Sequence, residues 1–172
     1  MLMLGFASHV SSQILAGPVM PLSPEIMNPN NGHIYIMLTQ GNWTESEAKA
    51  VSLGGHLVTI NNQAEEDWVA SVFSGYGAQV HNLWLGLRYA KSSNHFFWTS
   101  GSRIKYTNWG FQQPNLWDGL QPYAAIMPVN YRYHLLHPQW RSWGDTVADM
   151  GNLPFNGVVE IVPPRSRRFD SD

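Results

Sequence analysis

The side chains best placed to do chemistry lie between Asn108 and Trp143, and none of them completes a catalytic set. His134-Leu135-Leu136-His137 has the spacing of half a zinc site, but zinc needs three or four organised ligands, and no helix pattern or third ligand accompanies this pair. Tyr131, Tyr133 and Pro138 surround it, so two histidines in an aromatic loop is the simpler reading. The chain has no cysteine, which removes thiol catalysis and any disulfide framework. No Gly-x-Ser-x-Gly, phosphate loop or dinucleotide fingerprint occurs. The stretch instead carries amides, a carboxylate and aromatics, namely Gln113-Pro114-Asn115, Trp117, Asp118, Tyr131 and Tyr133. Tryptophan and tyrosine on loops combine an apolar ring with a polar handle, as sugar- and peptide-binding surfaces do. The chemistry on offer is recognition.

A chain of 172 residues, 44% of them hydrophobic, fits one domain with a substantial core and tails. The net charge of −2 and the charged fraction of 13% argue against an electrostatic nucleic-acid binder, which would show a basic face. Residues 1–31 read as a partial secretion signal and a lead-in. Met1 to Ala16 is apolar only in part, broken by Ser8, His9, Ser11, Ser12 and Gln13, and a membrane span needs about 20 continuous apolar residues. Pro18, Pro21, Pro24 and Pro29 keep Gly17 to Asn31 extended. The domain covers residues 32–162. Residues 163–172, with Arg165-Ser166-Arg167-Arg168, read as a short disordered basic tail.

Inside the domain, His33 to Leu38 reads as a strand. Thr44 and Glu47 form a capping box for a helix from Glu45 to Leu53, which Gly54-Gly55 stops. After a short strand from His56 to Ile60, Asn62 caps a second helix whose first turn holds Glu65, Glu66 and Asp67, the charge sign its dipole favours. Ala64, Trp68, Val69, Val72 and Phe73 form its packing face, and Gly75 ends it. Leu83-Trp84-Leu85-Gly86-Leu87 is the central strand, buried on both faces, with a glycine where another backbone passes close. Phe97 to Gly101 and Tyr106 to Trp109 alternate aromatic and small polar residues, as half-buried strands do. From Asn108 to Pro138 only Tyr123 to Met127 looks like a strand, and a loop of that length is usually functional. Trp140 to Trp143 and Gly157 to Ile161 supply closing strands, the last pairing with the first.

The order Trp-Leu-Gly-Leu, Phe-x-Trp-x-x-Gly, Tyr-x-Asn-Trp and Gln-Pro-Asn resembles the C-type lectin-like domain in its cysteine-free bacterial form, over roughly Gly32 to Ile161. The resemblance implies an α+β fold in which two helices pack on small antiparallel sheets, with a long irregular loop and termini close together. Animal members join the first helix to the last strand by a disulfide. The matching positions are Ala50 and Val159, expected to touch as a small apolar pair. In sugar-binding members a calcium ion sits under the long loop, held by residues flanking a cis proline, a following Glu, and an Asn-Asp pair after a Trp. Carried over, these become Gln113, Asn115, Gln121, Gly144 and Asp145, with Pro114 between the first two. Asn115 and Asp145 match the family and Gln113 is a variant at its position. Gln121 replaces a Glu, and Gly144 offers no side chain. Calcium affinity rises with carboxylate count, so this set implies a weak loop calcium or none, unless Asp118 turns inward. On the other reading Gln113-Pro114-Asn115 only shapes the loop, its amides bonding to backbone.

A second calcium position of the family, a structural one, matches Glu65 and Glu160. Two acids brought together need a cation or a proton. Alternatively Glu65 only completes the Asn62 cap and Glu160 is solvated. The function implied is non-catalytic recognition by a secreted or surface domain, with a glycan as the default ligand and neither nucleic acid nor membrane as partner. Its surface runs from Phe111 to Trp143, with sugars stacking on Trp117, Tyr131 or Tyr133. A metal-independent module for protein interaction or adhesion is the other reading. The related fold of formylglycine-generating enzymes is set aside because their chemistry uses cysteines.

Overall fold

Why the central strand is apolar throughout follows from what covers it. In a computed structural model, which describes residues 17–116, 122–127, 142–146 and 155–164, helices lie on both faces of one mixed sheet. The strands are β1 (Ile26–Met27), β2 (Ile34–Gln40), β3 (His56–Leu57), β4 (Asn82–Ala90), β5 (His95–Trp98), β6 (Tyr123–Met127), β7 (Ser142–Thr146) and β8 (Phe155–Ile161), with helices α1 (Trp43–Ser52) and α2 (Gln63–Phe73). Strand order is β1-β2-β8-β4-β6-β7, with β3 also on β8 and β5 also on β4. Alternate residues of the central strands enter two cores. Tyr35, Met37, Leu83, Leu85, Leu87 and Val158 pack with Val69 and Phe73 of α2. Ile36, Leu38, Trp84 and Val159 pack with Trp43 and Ala50 of α1. A sheet buried on both faces must read as a continuous apolar run rather than an alternation.

The fold is α+β with two α-helices and one short 3-10 turn, Tyr76–Ala78, among the described residues, but its strands form a single mixed sheet, because β4 runs parallel to β8 with Leu83 opposite Asn156. The termini close on each other through β2 and β8, antiparallel with Ile34 opposite Ile161 and Ile36 opposite Val159. Ala50 and Val159 are both fully buried in the α1 core. The proline-rich lead-in lies along the free edge of β2, where Leu22 N donates to Met37 O at 2.7 Å and Thr39 N to Met20 O at 2.7 Å. Edge positions tolerate proline because they need no donor on the outer side.

Three local expectations are corrected. Asn42 caps α1, its side chain accepting from Glu45 N at 2.8 Å. An earlier start lets Trp43 enter the core and donate Nε1 to Leu85 O at 2.8 Å. Glu47 instead accepts from Leu57 N at 2.9 Å and meets His56 Nδ1 at 2.7 Å. Tyr106 to Trp109 forms no strand beyond a bridge of Trp109 to Trp143, because the side chains of Tyr106 and Asn108 turn in toward α2. The buried positions of α2 are Glu65, Glu66, Val69, Ala70 and Phe73. Ala64 is exposed, with Trp68 and Val72 half-buried at the margin of that face.

Gly86 is where β3 passes. A Cβ there would stand 2.4 Å from Leu57 O, and the backbone contact is used, Gly86 N donating to Val58 O at 2.9 Å.

Candidate functional site

The long loop leaves and re-enters the sheet at one place. Trp143 N donates to Asn108 O at 2.8 Å and Gly110 N to Trp143 O at 2.9 Å, so entry and exit are paired. Below them Trp143 is ringed edge-on by Trp98, Tyr106 and Trp109, at centroid distances of 5.9, 5.8 and 5.7 Å, a favoured aromatic geometry. Just past the entry, the Gln113-Pro114 peptide is cis, as the resemblance implies. Gln113 is half-buried and Asn115 exposed, and both have interactions of their own.

The structure brings Gln113 beside Gly144 on β7. Its side-chain oxygen lies 3.9 Å from where a Cβ on Gly144 would stand, and Met127 Cε fills that position at 2.9 Å. A side chain at residue 144 would therefore have to push aside the flexible end of Met127. Asp145 is placed by its backbone, opposite Ala124 of β6. Trp117, Asp118, Gln121, Tyr131 and Tyr133, with the His134 and His137 pair, lie outside the described residues.

Glu65 and Glu160 are brought together, away from the loop. Ligand atoms of His33, Glu65 and Glu160 lie within 4.8 Å of one another. Glu160 is 6% and Glu65 5% exposed, which corrects the reading of Glu160 as solvated; its place in a sheet between β2 and β3 buries it. Every carboxylate oxygen of the pair already has a protein partner. Glu65 Oε1 accepts from Tyr35 Oη at 2.8 Å and Asn31 Nδ2 at 3.1 Å, and Oε2 from Asn61 N at 2.8 Å and Asn61 Nδ2 at 3.1 Å. Glu160 Oε1 meets His33 Nδ1 at 2.6 Å and Tyr35 Oη at 3.3 Å, and Oε2 accepts from Thr59 N at 2.9 Å. Burial pushes the Glu160 carboxyl above its ordinary range, with Glu65 adding to the rise and the bonds from Thr59 and His33 opposing it. The Tyr35 phenol is pushed up for the same reasons, burial first and then the two carboxylates. For calcium the two carboxylates are fitting donors, but the imidazole is not a hard-cation ligand, and an ion would have to displace Tyr35 and His33.

Sequence reasoning missed Glu66. It is fully buried and accepts from Asn108 Nδ2 at 3.0 Å, Trp143 Nε1 at 2.9 Å and Tyr106 Oη at 2.6 Å. The signal was there: Glu66 is in helical phase with Val69, Ala70 and Phe73, one apolar face at i+3, i+4 and i+7.

Strands β2 and β8 pair the ends of the domain, a helix lies on each face of the sheet, and the long loop's entry and exit are paired at Asn108 and Trp143. The chain matches the Lectin C-type domain model over residues 39–149, and it belongs to that family. Lithostathine from Rattus norvegicus is 30% identical over 128 residues, covering 73% of this chain and 72% of that protein. C-type mannose receptor 2 from Homo sapiens is 31% identical over 108 residues, covering 62% of this chain but 7% of the receptor. The structure of the C-type lectin CEL-I from Cucumaria echinata matches with a TM-score of 0.62 at 25% identity, over 76% of this chain and 90% of that one. CEL-I is itself a C-type lectin, and this chain, as a member of the Lectin C-type domain family, is not an enzyme. No helix among the described residues is long and apolar enough to cross a membrane.

Proposed function

We propose that this domain binds carbohydrate, as a secreted or surface-displayed module, through the loop that starts at Phe111, with weak or no dependence on a loop calcium. The observation that carries the metal part of this reading is Gly144. Where the resemblance calls for a ligating side chain, Met127 packs at 2.9 Å from the Cβ position and Gln113 offers a neutral amide oxygen at 3.9 Å. Calcium held by one carboxylate, Asp145, and neutral amides is held weakly. The sugar part is supported by family membership and by the likeness to CEL-I, itself a lectin. Without a metal, affinity comes from stacking on Trp117, Tyr131 or Tyr133 and from side-chain hydrogen bonds at Gln113, Asn115 and Asp118.

The experiment is a printed glycan array read with calcium and with a chelator, for the wild type and for Asp145→Asn. Glycan signals within about threefold under all conditions are expected, since a weak ion contributes little. Signals abolished both by the chelator and by Asp145→Asn would show a calcium lectin instead. Exposed Phe111, Phe97 and Ile104, at 54%, 41% and 41%, favour a second reading as a metal-independent protein-binding module. A blank array beside saturable capture of a protein partner would select it.

A further inference from the structure

We infer that Glu66 is the positioning residue of the recognition loop, fixing from beneath both the run that enters the loop and the strand that leaves it. The inference deepens the carbohydrate-binding reading and rests on it for its binding arm. A fully buried carboxyl without a cation is costly unless hydrogen bonds compensate it, and here three side chains supply them: Tyr106 and Asn108 on the entering run, Trp143 on β7. No ion pair to Glu66 occurs among the described residues. Three edge-on rings hold the plane of the Trp143 indole, and Glu66 Oε1 fixes its rotation in that plane. The next residue is Gly144, beside which Gln113 sits, so a shift of Trp143 moves the loop base directly.

The chain of polar groups continues beyond the carboxyl. Tyr106 Oη also meets Gln63 Oε1 at 2.6 Å, and Gln63 Nε2 donates to Asp67 Oδ1 at 3.1 Å. One phenol proton cannot serve both Glu66 and Gln63. An amide at residue 66 completes the chain: its oxygen accepts from Asn108 and Trp143, its nitrogen donates to Tyr106, and Tyr106 donates to Gln63. Glu66→Gln is therefore the conservative variant. Glu66→Leu has similar bulk but removes the acceptor that ties Asn108 and Trp143 together and leaves Tyr106 only Gln63 to donate to.

Amide hydrogen exchange on the full chain tests the inference, with the glycan array as a second arm. Glu66→Leu should speed exchange at Gly110 and Trp143 by about tenfold or more while leaving β2 and β8 unchanged, and Glu66→Gln should stay within about twofold of wild type. Asn108→Ala, which removes one donor and keeps Glu66, should loosen the same two amides and serves if Glu66→Leu does not fold. Unchanged exchange at Gly110 and Trp143 in the Leu and Ala variants overturns the inference. So does a Gln variant as disturbed as the Leu one, or loosening spread evenly over β2 and β8. Where the wild type binds array glycans, the Leu variant should lose about tenfold in signal and the Gln variant keep it. An array blank for the wild type sinks the carbohydrate reading, and the exchange arm then decides Glu66 alone.

Discussion

At the scale of single residues, burial reverses the meaning of two of three neighbouring acids. Glu65, Glu66 and Asp67 read from sequence as a first turn whose charge suits the helix dipole, yet Glu65 and Glu66 are core residues and Asp67 alone is exposed. Burial raises the Glu66 carboxyl above its ordinary value, against the opposing bonds from Tyr106, Asn108 and Trp143. A raised folded-state pKa means that the folded chain binds this proton more tightly than the unfolded one. That contribution to stability is complete below the unfolded value, about 4.3, and is lost as pH rises through the folded value. Glu66→Gln cannot lose a proton, so its stability relative to wild type should improve as pH rises from about 4.3 to the folded value and level off above it. Denaturant melts of both proteins between about pH 4 and pH 8 read this, and parallel profiles would show that Glu66 does not titrate differently on folding. Gly86 belongs to the same scale. Because a Cβ would strike the backbone oxygen of Leu57 at 2.4 Å, no side-chain repacking relieves the clash. Gly86→Val should cost about 1 to 3 kcal/mol or more, and an unchanged melting temperature would refute the close approach of β3 and β4.

Elements were legible where one signal sufficed and illegible where two competed. The apolar run of β4, the Asn62 cap of α2 and the pairing of the last strand with the first each follow from local pattern plus closure. The α1 cap was misplaced because Asn42 to Glu45 and Thr44 to Glu47 both fit the capping-box spacing, and only the burial of Trp43 selects the first. Tyr106 to Trp109 has strand-like alternation, but two of its polar groups pair with a helix carboxylate instead of facing solvent. Among these elements, α1 and β8 share a core cluster in which Ala50 and Val159 are both fully buried. If the two touch, as the resemblance implies, replacing both by cysteine should yield a disulfide on mild oxidation, because a disulfide needs a short Cβ separation. Closing so long a loop should add about 2 to 4 kcal/mol. Free thiols persisting in the folded, oxidised double variant would place the two residues apart.

For the molecule as a whole, family and architecture could be read from motif order, while the recognition surface could be read only as a loop with candidate side chains. Its amides and aromatics carry no periodicity, so nothing in the sequence aims them. The acid pair of Glu65 and Glu160 tests how the whole fold is tied, because it joins α2, β2, β8 and the segment between β3 and α2 through Tyr35, His33, Thr59 and Asn61. If an ion were the tie, excess calcium would stabilise the domain by about 2.7 kcal/mol at a hundredfold excess over Kd. In a chain of this size that raises Tm by about 5 to 10 °C. Since all four carboxylate oxygens already hold protein hydrogen bonds, the Tm in about 10 mM calcium should lie within about 1 °C of the chelator-treated value. Glu160→Gln should lower Tm in both buffers alike, by breaking the contact with His33. A calcium-induced rise of about 5 °C that disappears in Glu160→Gln but survives in Asp145→Asn would show an ion displacing Tyr35 and His33 at this pair. The reverse pattern would place the ion under the loop.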